Sequence, residues 1–278
     1  MPENNMDYIS NNCKWIKHQL DGFCLTISLN RPDSRNAMNV EMAIEIYDTF
    51  LNLSQIDQID VVVIKAEGKH FCAGGDLKDM IDNIEEPKRG VEDQLYSVNR
   101  RFGDLLTKIN ECPKTVISVV HGAARGGGFG IACVSDVVIG TEDSSYAMPE
   151  TGFGLPGAQI IPFVVSRIGH FQTRRLVTTG DIISGEEAYK LGLINYLCKN
   201  LDEASIRLDE TLKKIKYRSP NGIQESKRLI NEVSKKTSSD LLDDGARTVA
   251  YMSRNSDGAE GLKAFFEKRK PSWSKRKG

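Results

Sequence analysis

Three short segments constrain the fold most: Ile59–Lys65, Thr115–Val120 and Val134–Ile139 concentrate β-branched apolar residues instead of alternating them with polar ones. A strand with one wet face alternates, whereas one that is apolar throughout is covered on both faces, as in a parallel sheet between layers. Each segment is followed by glycine or by a helical pattern, and parallel strands require such crossovers. Phe23–Leu29 reads as another strand, stopped by the turn residues Asn30-Arg31-Pro32-Asp33, and Lys14–Gln19 as an edge strand. Asn39 precedes apolar residues at helical spacing (Met42, Ile46, Phe50), with Glu41 in the first turn, so a helix starts there. The loop 70–77 leads into polar, charged sequence of helical character up to about residue 110. The alternation predicts an α/β fold built on βαβ units.

From Ser184 the pattern changes. Ser184 with Glu187 three residues on reads as a helix cap. Pro220–Ser234, Ser238–Arg254 and Gly258–Lys270 carry helical periodicity, and only Ile194–Leu197 reads as a strand. We therefore expect a core over residues 1–200 and a helical region over 201–278.

Charge excludes some functions. Lys and Arg number 37 against 38 Asp and Glu, a net −1, which argues against a protein that coats nucleic acid or an anionic membrane. The apolar stretches fall far short of the roughly 20 residues that span a bilayer. The start, MPENNMDYIS, lacks the basic-then-apolar pattern of a secretory signal. Six cysteines without a CxxC pair or metal-ligand spacing read as reduced, buried small hydrophobes, so a cytoplasmic location is expected.

Glycine locates the chemistry. Nine of the 24 glycines fall within residues 122–157, and such density lets backbone approach a ligand closely. Gly122-Ala123-Ala124-Arg125-Gly126-Gly127-Gly128-Phe129-Gly130 follows the strand ending at Val120 and precedes Ile131-Ala132-Cys133, read as a helix start. It matches neither the P-loop nor the dinucleotide fingerprint. A second loop, Phe71-Cys72-Ala73-Gly74-Gly75-Asp76, also follows a buried strand. Two such loops offer two sets of free N–H donors, the requirement of an oxyanion hole. Met148-Pro149-Glu150-Thr151-Gly152 adds a carboxylate.

LNRPDSRNAMN (29–39), HFCAGGDL (70–77), VVHGAARGGGFGIACVSDVVIG (119–140) and PETGFGLP (149–156), with SGEEAYKLGLIN (184–195) and GLKAFFEKRKPSW (261–273), together resemble the enoyl-CoA hydratase/isomerase (crotonase) superfamily over nearly the whole chain. The resemblance implies a crotonase-like spiral of ββα units with a C-terminal helical trimerisation region, assembled as a homotrimer or a dimer of trimers. It implies an acyl-CoA substrate, with coenzyme A entering as part of that substrate and no metal or other cofactor. The two oxyanion donors become the N–H groups of Gly75 and Gly127. CoA-binding positions become Arg35, Asn36, Ala37, Ala73, Gly74, Asp76 and Gly126, with Lys268 and Lys270 of the basic C-terminal tail.

Hydratases of this superfamily use two glutamates. The later one corresponds to Glu150, whereas the earlier position is Gly130. Water addition needs a base near the β-carbon and a proton for the α-carbon. Single-glutamate members move a double bond, which Glu150 alone could do. Hydrolases of 3-hydroxyisobutyryl-CoA share the glycine but carry an aspartate where this chain has Ala158, and dienoyl-CoA isomerases want acids at both 130 and 158. The stretch ETGFGLPGAQIIPFVVSRIG (150–169) is nearest in look to the bacterial branch that hydrates branched glutaconyl-CoA substrates, where a glycine at 130 is familiar and the substrate brings its own carboxylate. Hydration of an enoyl-CoA with Glu150 as acid/base is thus the leading expectation. Isomerisation of a 3-enoyl-CoA or thioester hydrolysis follows, and non-catalytic CoA-ester or RNA binding comes last; RNA binding would weaken steeply with salt.

Other residues have plainer readings. Glu92, Asp93 and Tyr96 fit a solvated helix face better than a water-activating group. His70 and His121 read as loop and strand-end residues, and Cys72 as packing. Gln159 is read equally as a substrate ligand or a helix cap, and Arg125 as a partner for an anionic acyl tail or pyrophosphate.

Overall fold

The computed structural model describes residues 13–53, 56–78 and 89–276. Six strands form the main sheet: β1 (Ile16–Asp21), β2 (Cys24–Leu29), β3 (Val61–Ala66), β4 (Thr115–Val120), β6 (Val137–Thr141) and β9 (Tyr196–Cys198), side by side in that order. β1 pairs antiparallel with β2, and every other pair is parallel. The apolar runs have the expected cause. Val62, Ile64, Val116 and Val120 enter one buried cluster, and Val61, Val63, Ile117 and Val119 enter another on the opposite face.

The first cluster is closed by α1 (Val40–Asn52), α2 (Gln94–Asn110) and α3 (Gly127–Val134), through Met42, Ile46, Leu105, Leu106, Phe129 and Ile131. The second is closed by the helix here called α6 (Leu201–Lys216), through Ala204, Leu208 and Leu212. Fully burying one such aliphatic side chain stabilises by about 1.5–3 kcal/mol, so a charge at Val63, whose exposure is zero, would break the sheet.

A second, short layer carries the site. β5 (Ala123–Arg125) runs parallel to β7 (Ser145–Ala147), and β7 antiparallel to β8 (Ile183–Ser184). Two further turns extend it through bridges Met38–Gly75 and Cys72–Ala124. After β2, β3, β4 and β6 in turn, the chain makes a short extended stretch that stacks on the previous one. Ala73 N–H donates to Arg35 O (3.0 Å), Cys72 N–H to Ala123 O (2.9 Å) and Gly126 N–H to Ala147 O (3.1 Å). This repetition of strand, short strand and helix is the spiral that the sequence implied.

Beyond it lie α4 (Ile161–Thr179, broken at Gly169 where φ is +77), α5 (Gly185–Lys190), α6, α7 (Pro220–Glu232), α8 (Ser238–Asn255) and α9 (Asp257–Phe266). No helix among the described residues is long and apolar enough to cross a membrane.

Several boundaries differ from expectation. β1 begins at Ile16 and not Lys14; ahead of it the N–H groups of Lys14 and Trp15 bind the Glu45 carboxylate. α3 starts at Gly127 and not Ile131, and it runs on to Val134, so β6 begins only at Val137. β9 starts at Tyr196; Asn195 before it bonds Val138 twice, its N–H donating to Val138 O and its side-chain Oδ1 accepting Val138 N–H (both 2.8 Å). α9 stops at Phe266, two residues before Lys268 takes a left-handed φ of +52. Asn39 and Ser184 cap their helices as read, accepting from Met42 and Glu187 N–H. The expected helix between the loop at 70–77 and residue 110 is described only as α2, its residues 79–88 lying outside the described set.

Candidate active site

Gly75 and Gly127 each follow a glycine that turns the chain. Gly74 has φ +108, and Gly126 has φ +46 with ψ −112. In the parallel bridge of Met38 and Gly75, the bonds to residue 38 come from Gly74 O and Asp76 N–H (2.8 and 2.9 Å). The N–H of Gly75 itself therefore points away from that strand and makes no backbone bond among the described residues. Gly127 opens α3, and the first N–H groups of a helix have no partner within it. The loops touch: a Cβ on Gly126 would lie 3.8 Å from Gly74 Cα, and one on Gly128 would lie 2.6 Å from Cys72 Cβ. The loops that carry Gly75 and Gly127 thus lie against each other, with Gly127 at the positive end of a helix, where negative charge is stabilised.

Glu150 stands beside them. It opens a short helical turn, Glu150–Phe153, after β7. A Cβ on Gly126 would come within 2.7 Å of its Oε1, and one on Gly157 within 3.4 Å of its Oε2. The carboxylate is held between the two glycines, and Oε2 is buried without a hydrogen-bond partner among the described residues. Burial pushes its pKa above the ordinary carboxylate range, a bond from its own backbone N–H partly opposing this. A carboxylate so placed holds its proton to higher pH and can both deliver and remove one.

Sequence reasoning missed the cover of this space. α2 lays Phe102 on Gly127, whose Cβ would meet Phe102 Cζ at 2.9 Å. One turn further, a Cβ on Gly130 would meet Ile160 Cγ2 at 2.8 Å and Leu106 Cδ1 at 3.0 Å. Gly103, between them, is overlain by Gln159, whose amide donates to Asn99 Oδ1 (2.9 Å). The one signal available in sequence was helical spacing: Phe102, Leu106 and Ile109 mark an inward face of α2.

The Enoyl-CoA hydratase/isomerase family model matches residues 22–276. The chain belongs to that family. An enoyl-CoA hydratase/isomerase from Marinobacter aquaeolei is 39% identical, covering 95% of this chain and 100% of its own, with a TM-score of 0.91. Pseudomonas aeruginosa AtuE is 38% identical over 94% of this chain and 100% of its own, with a TM-score of 0.89. The 1,2-epoxyphenylacetyl-CoA isomerase of Escherichia coli is 29% identical over 94% of this chain and 98% of its own length. Family membership makes the crotonase-like spiral a shared architecture, and the family contains both hydratases and isomerases.

The remaining expected site residues of this family member divide by what they touch. Asn36 is fully buried and holds the turn: Nδ2 donates to Glu67 O and His70 O (both 2.8 Å), and Oδ1 accepts from Arg31 N–H. Asp76 pairs with Arg31 at 3.0 Å, so its carboxylate faces the protein. Arg35 and Ala73 line a groove of about 770 Å³ with Lys69, His70 and Arg125. Arg125 donates to Ser145 O and Oγ. Ala37 is half-buried, its carbonyl accepting from Arg31.

Lys268 and Lys270 do not line this groove. The Lys270 ammonium lies 5.6 Å from the Tyr217 ring centre. His70 Nδ1 accepts from Ala123 N–H (3.2 Å); burial and the nearby cations, Arg35 first, hold its pKa below the ordinary value. His121 Nε2 donates to Gly68 O. Cys72 is wholly buried, and burial pushes its thiol up to about 11, which keeps it in the protonated form that packs. Asp93 caps α2 by accepting from Leu95 N–H (2.9 Å), while Tyr96 is 59% exposed.

Proposed function

We propose that this chain acts on an enoyl-CoA thioester, with the N–H groups of Gly75 and Gly127 taking up charge on the thioester oxygen and Glu150 as the one protein acid/base. The observation that carries this reading is the contact of the Glu150 carboxylate with Gly126, one residue before the donor Gly127. In hydration, the leading reaction, a water oxygen bonds to the β-carbon, the π pair becomes an enolate held by the two donors, Glu150 delivers its proton to the α-carbon, and the surplus proton of the bound water passes to the carboxylate so left on Glu150. Burial raises its pKa, which favours the protonated form that a general acid needs. Removing one oxyanion donor of this kind costs about 2.7–4 kcal/mol of barrier.

A second reading has its own support. The space at Gly130 is filled by Leu106 and Ile160, and moving a double bond from the 3- to the 2-position needs only one carboxylate. Glu150 would take a proton from the α-carbon and return it at the γ-carbon.

The groove lined by Arg35, Lys69, His70, Ala73 and Arg125 suits the phosphates of coenzyme A. We further propose a homotrimer, alone or paired into a hexamer. Leu242, Val249, Phe265 and Phe266 on the C-terminal helices are each at least 65% exposed, more apolar surface than a lone subunit ordinarily carries. Sedimentation gives the assembly.

The reaction is tested with crotonyl-CoA, 3-methylglutaconyl-CoA and a 3-enoyl-CoA in heavy-oxygen water, with Glu150→Gln alongside. Heavy oxygen at the β-carbon, lost in the variant, supports hydration. A 2-enoyl product without added oxygen supports isomerisation. Bound but unconverted esters overturn both.

A further inference from the structure

We infer that Leu106 and Ile160 determine the reaction by occupying the space over Gly130, so that a single acid/base, Glu150, faces the substrate. The inference rests on the function proposed above and deepens it. Residue 130 lies three positions after the donor Gly127 on α3, so the two share a helix face. A side chain at 130 would point into the space over that face, between α2 and the residues before α4. That space is closed from two separate elements: Leu106 comes from α2 and Ile160 from the approach to α4, and both are almost wholly buried (0% and 3% exposed). Even a bare Cβ at 130 would sit 2.8 Å from Ile160 Cγ2 and 3.0 and 3.4 Å from the two Leu106 methyls. These are aliphatic atoms packed on both sides, without room for a carboxylate or a water held by one. The absence of a second acid is therefore built by the neighbours as well as by the glycine.

This has a consequence for engineering. Gly130→Glu alone gains no hydration, because its side chain has nowhere to go. In Leu106→Ala/Ile160→Ala/Gly130→Glu, the new carboxylate takes a proton from water as the water oxygen bonds to the β-carbon. The π pair moves onto the thioester as an enolate, and Glu150 gives its proton to the α-carbon. Solvent exchange then resets both carboxyl groups.

Heavy-oxygen incorporation into crotonyl-CoA is compared across the wild type, Gly130→Glu, Leu106→Ala/Ile160→Ala and the triple variant. Solvent-deuterium exchange at the α-carbon of butyryl-CoA serves as the parallel readout of Glu150. The expected result is at least a tenfold gain in oxygen incorporation in the triple variant only. Equal incorporation by Gly130→Glu with the wall intact, or no gain in a triple variant that still exchanges α-protons, overturns the inference. Loss of α-exchange already in the wild type instead refutes the underlying function.

A folding cycle tests the wall even where the triple variant fails to fold. Gly130→Ala lowers the melting temperature of the wild type and lowers it much less in an Ile160→Ala background. An equal drop in both backgrounds overturns the inference.

Discussion

Gly126→Ala should separate the position of Glu150 from the stability of the fold. Gly126 has φ +46 and ψ −112, a region that side-chain-bearing residues occupy only at a cost of about 1–3 kcal/mol. In a domain of this size that lowers the melting temperature by about 2–4 °C per kcal/mol. The new Cβ would also lie 2.7 Å from Glu150 Oε1, where ordinary contact begins at 3.4 Å. The carboxylate must retreat by about 0.7 Å, and a misplacement of about 1 Å is enough for a 100-fold loss. We expect kcat/KM to fall about 10- to 100-fold at temperatures where the variant is fully folded, or about 1.4–2.7 kcal/mol of barrier.

The control is Gly180→Ala, at the C-terminal end of α4. Its φ is +69 and a Cβ there meets nothing within 4 Å, so it carries left-handed strain without touching the site. Steady-state kinetics and thermal melts on both variants give the comparison. The reasoning is refuted if Gly126→Ala keeps kcat/KM within twofold of the wild type, or if Gly180→Ala loses as much.

Three further expectations follow from particular contacts. Glu150→Gln should lower turnover by about 10²–10⁴-fold. Because burial raises the folded-state pKa of Glu150, the native state binds the extra proton between the ordinary carboxylate pKa and that raised value. Wild-type stability should therefore fall relative to Glu150→Gln as pH rises through this window, with a constant difference below it, in melts across about pH 4 to 8. Arg276→Ala should strand Asp60, 9% exposed as a side chain and paired only with Arg276 among the ion pairs of the described residues, at a cost of about 1–3 kcal/mol. Burial already raises the Asp60 pKa and Arg276 opposes it, so the loss should grow as pH rises above the carboxylate range and shrink in Asp60→Asn/Arg276→Ala. Arg35→Ala and Lys69→Ala should each raise KM for acyl-CoA about two- to fivefold with kcat little changed, and less at high salt, since exposed charge pairs contribute about 0.2–1 kcal/mol.

The main sheet was legible because its code is redundant. Residues such as Val61 to Ile64 serve two buried clusters by turns, so every position is apolar and the run stands out. Asn39 and Ser184 were legible because a helix start needs a side-chain acceptor. The short layer was not, since β5, β7 and β8 have two or three residues each, too few to show a period. The start of α3 was misread for a related reason. Gly127, Gly128 and Gly130 are poor helix formers, but they begin the helix because its first turn lies against Cys72 and Phe102, with no room for a Cβ. Close packing overrides propensity there, and the partners come from distant segments. Asn36 and Asp76 occupy motif positions whose spacing does not show that their side chains tie turns together.

The same contrast explains how one scaffold can serve several reactions. On the proposed reading, Gly75 and Gly127 act through main-chain N–H groups, which a side-chain substitution elsewhere leaves in place. What covers the helix that Gly127 opens depends instead on a few side chains from α2 and from the residues before α4: Phe102 on Gly127, Leu106 and Ile160 on Gly130, and Gln159 on Gly103. Those elements lie outside the ribbon of turns and can be repacked without moving it. A family that contains both a 1,2-epoxyphenylacetyl-CoA isomerase and enoyl-CoA hydratase/isomerase relatives is what such a division allows. On the proposed reading, the number and position of acids in this chain follow from how the side chains over Gly127 and Gly130 are packed.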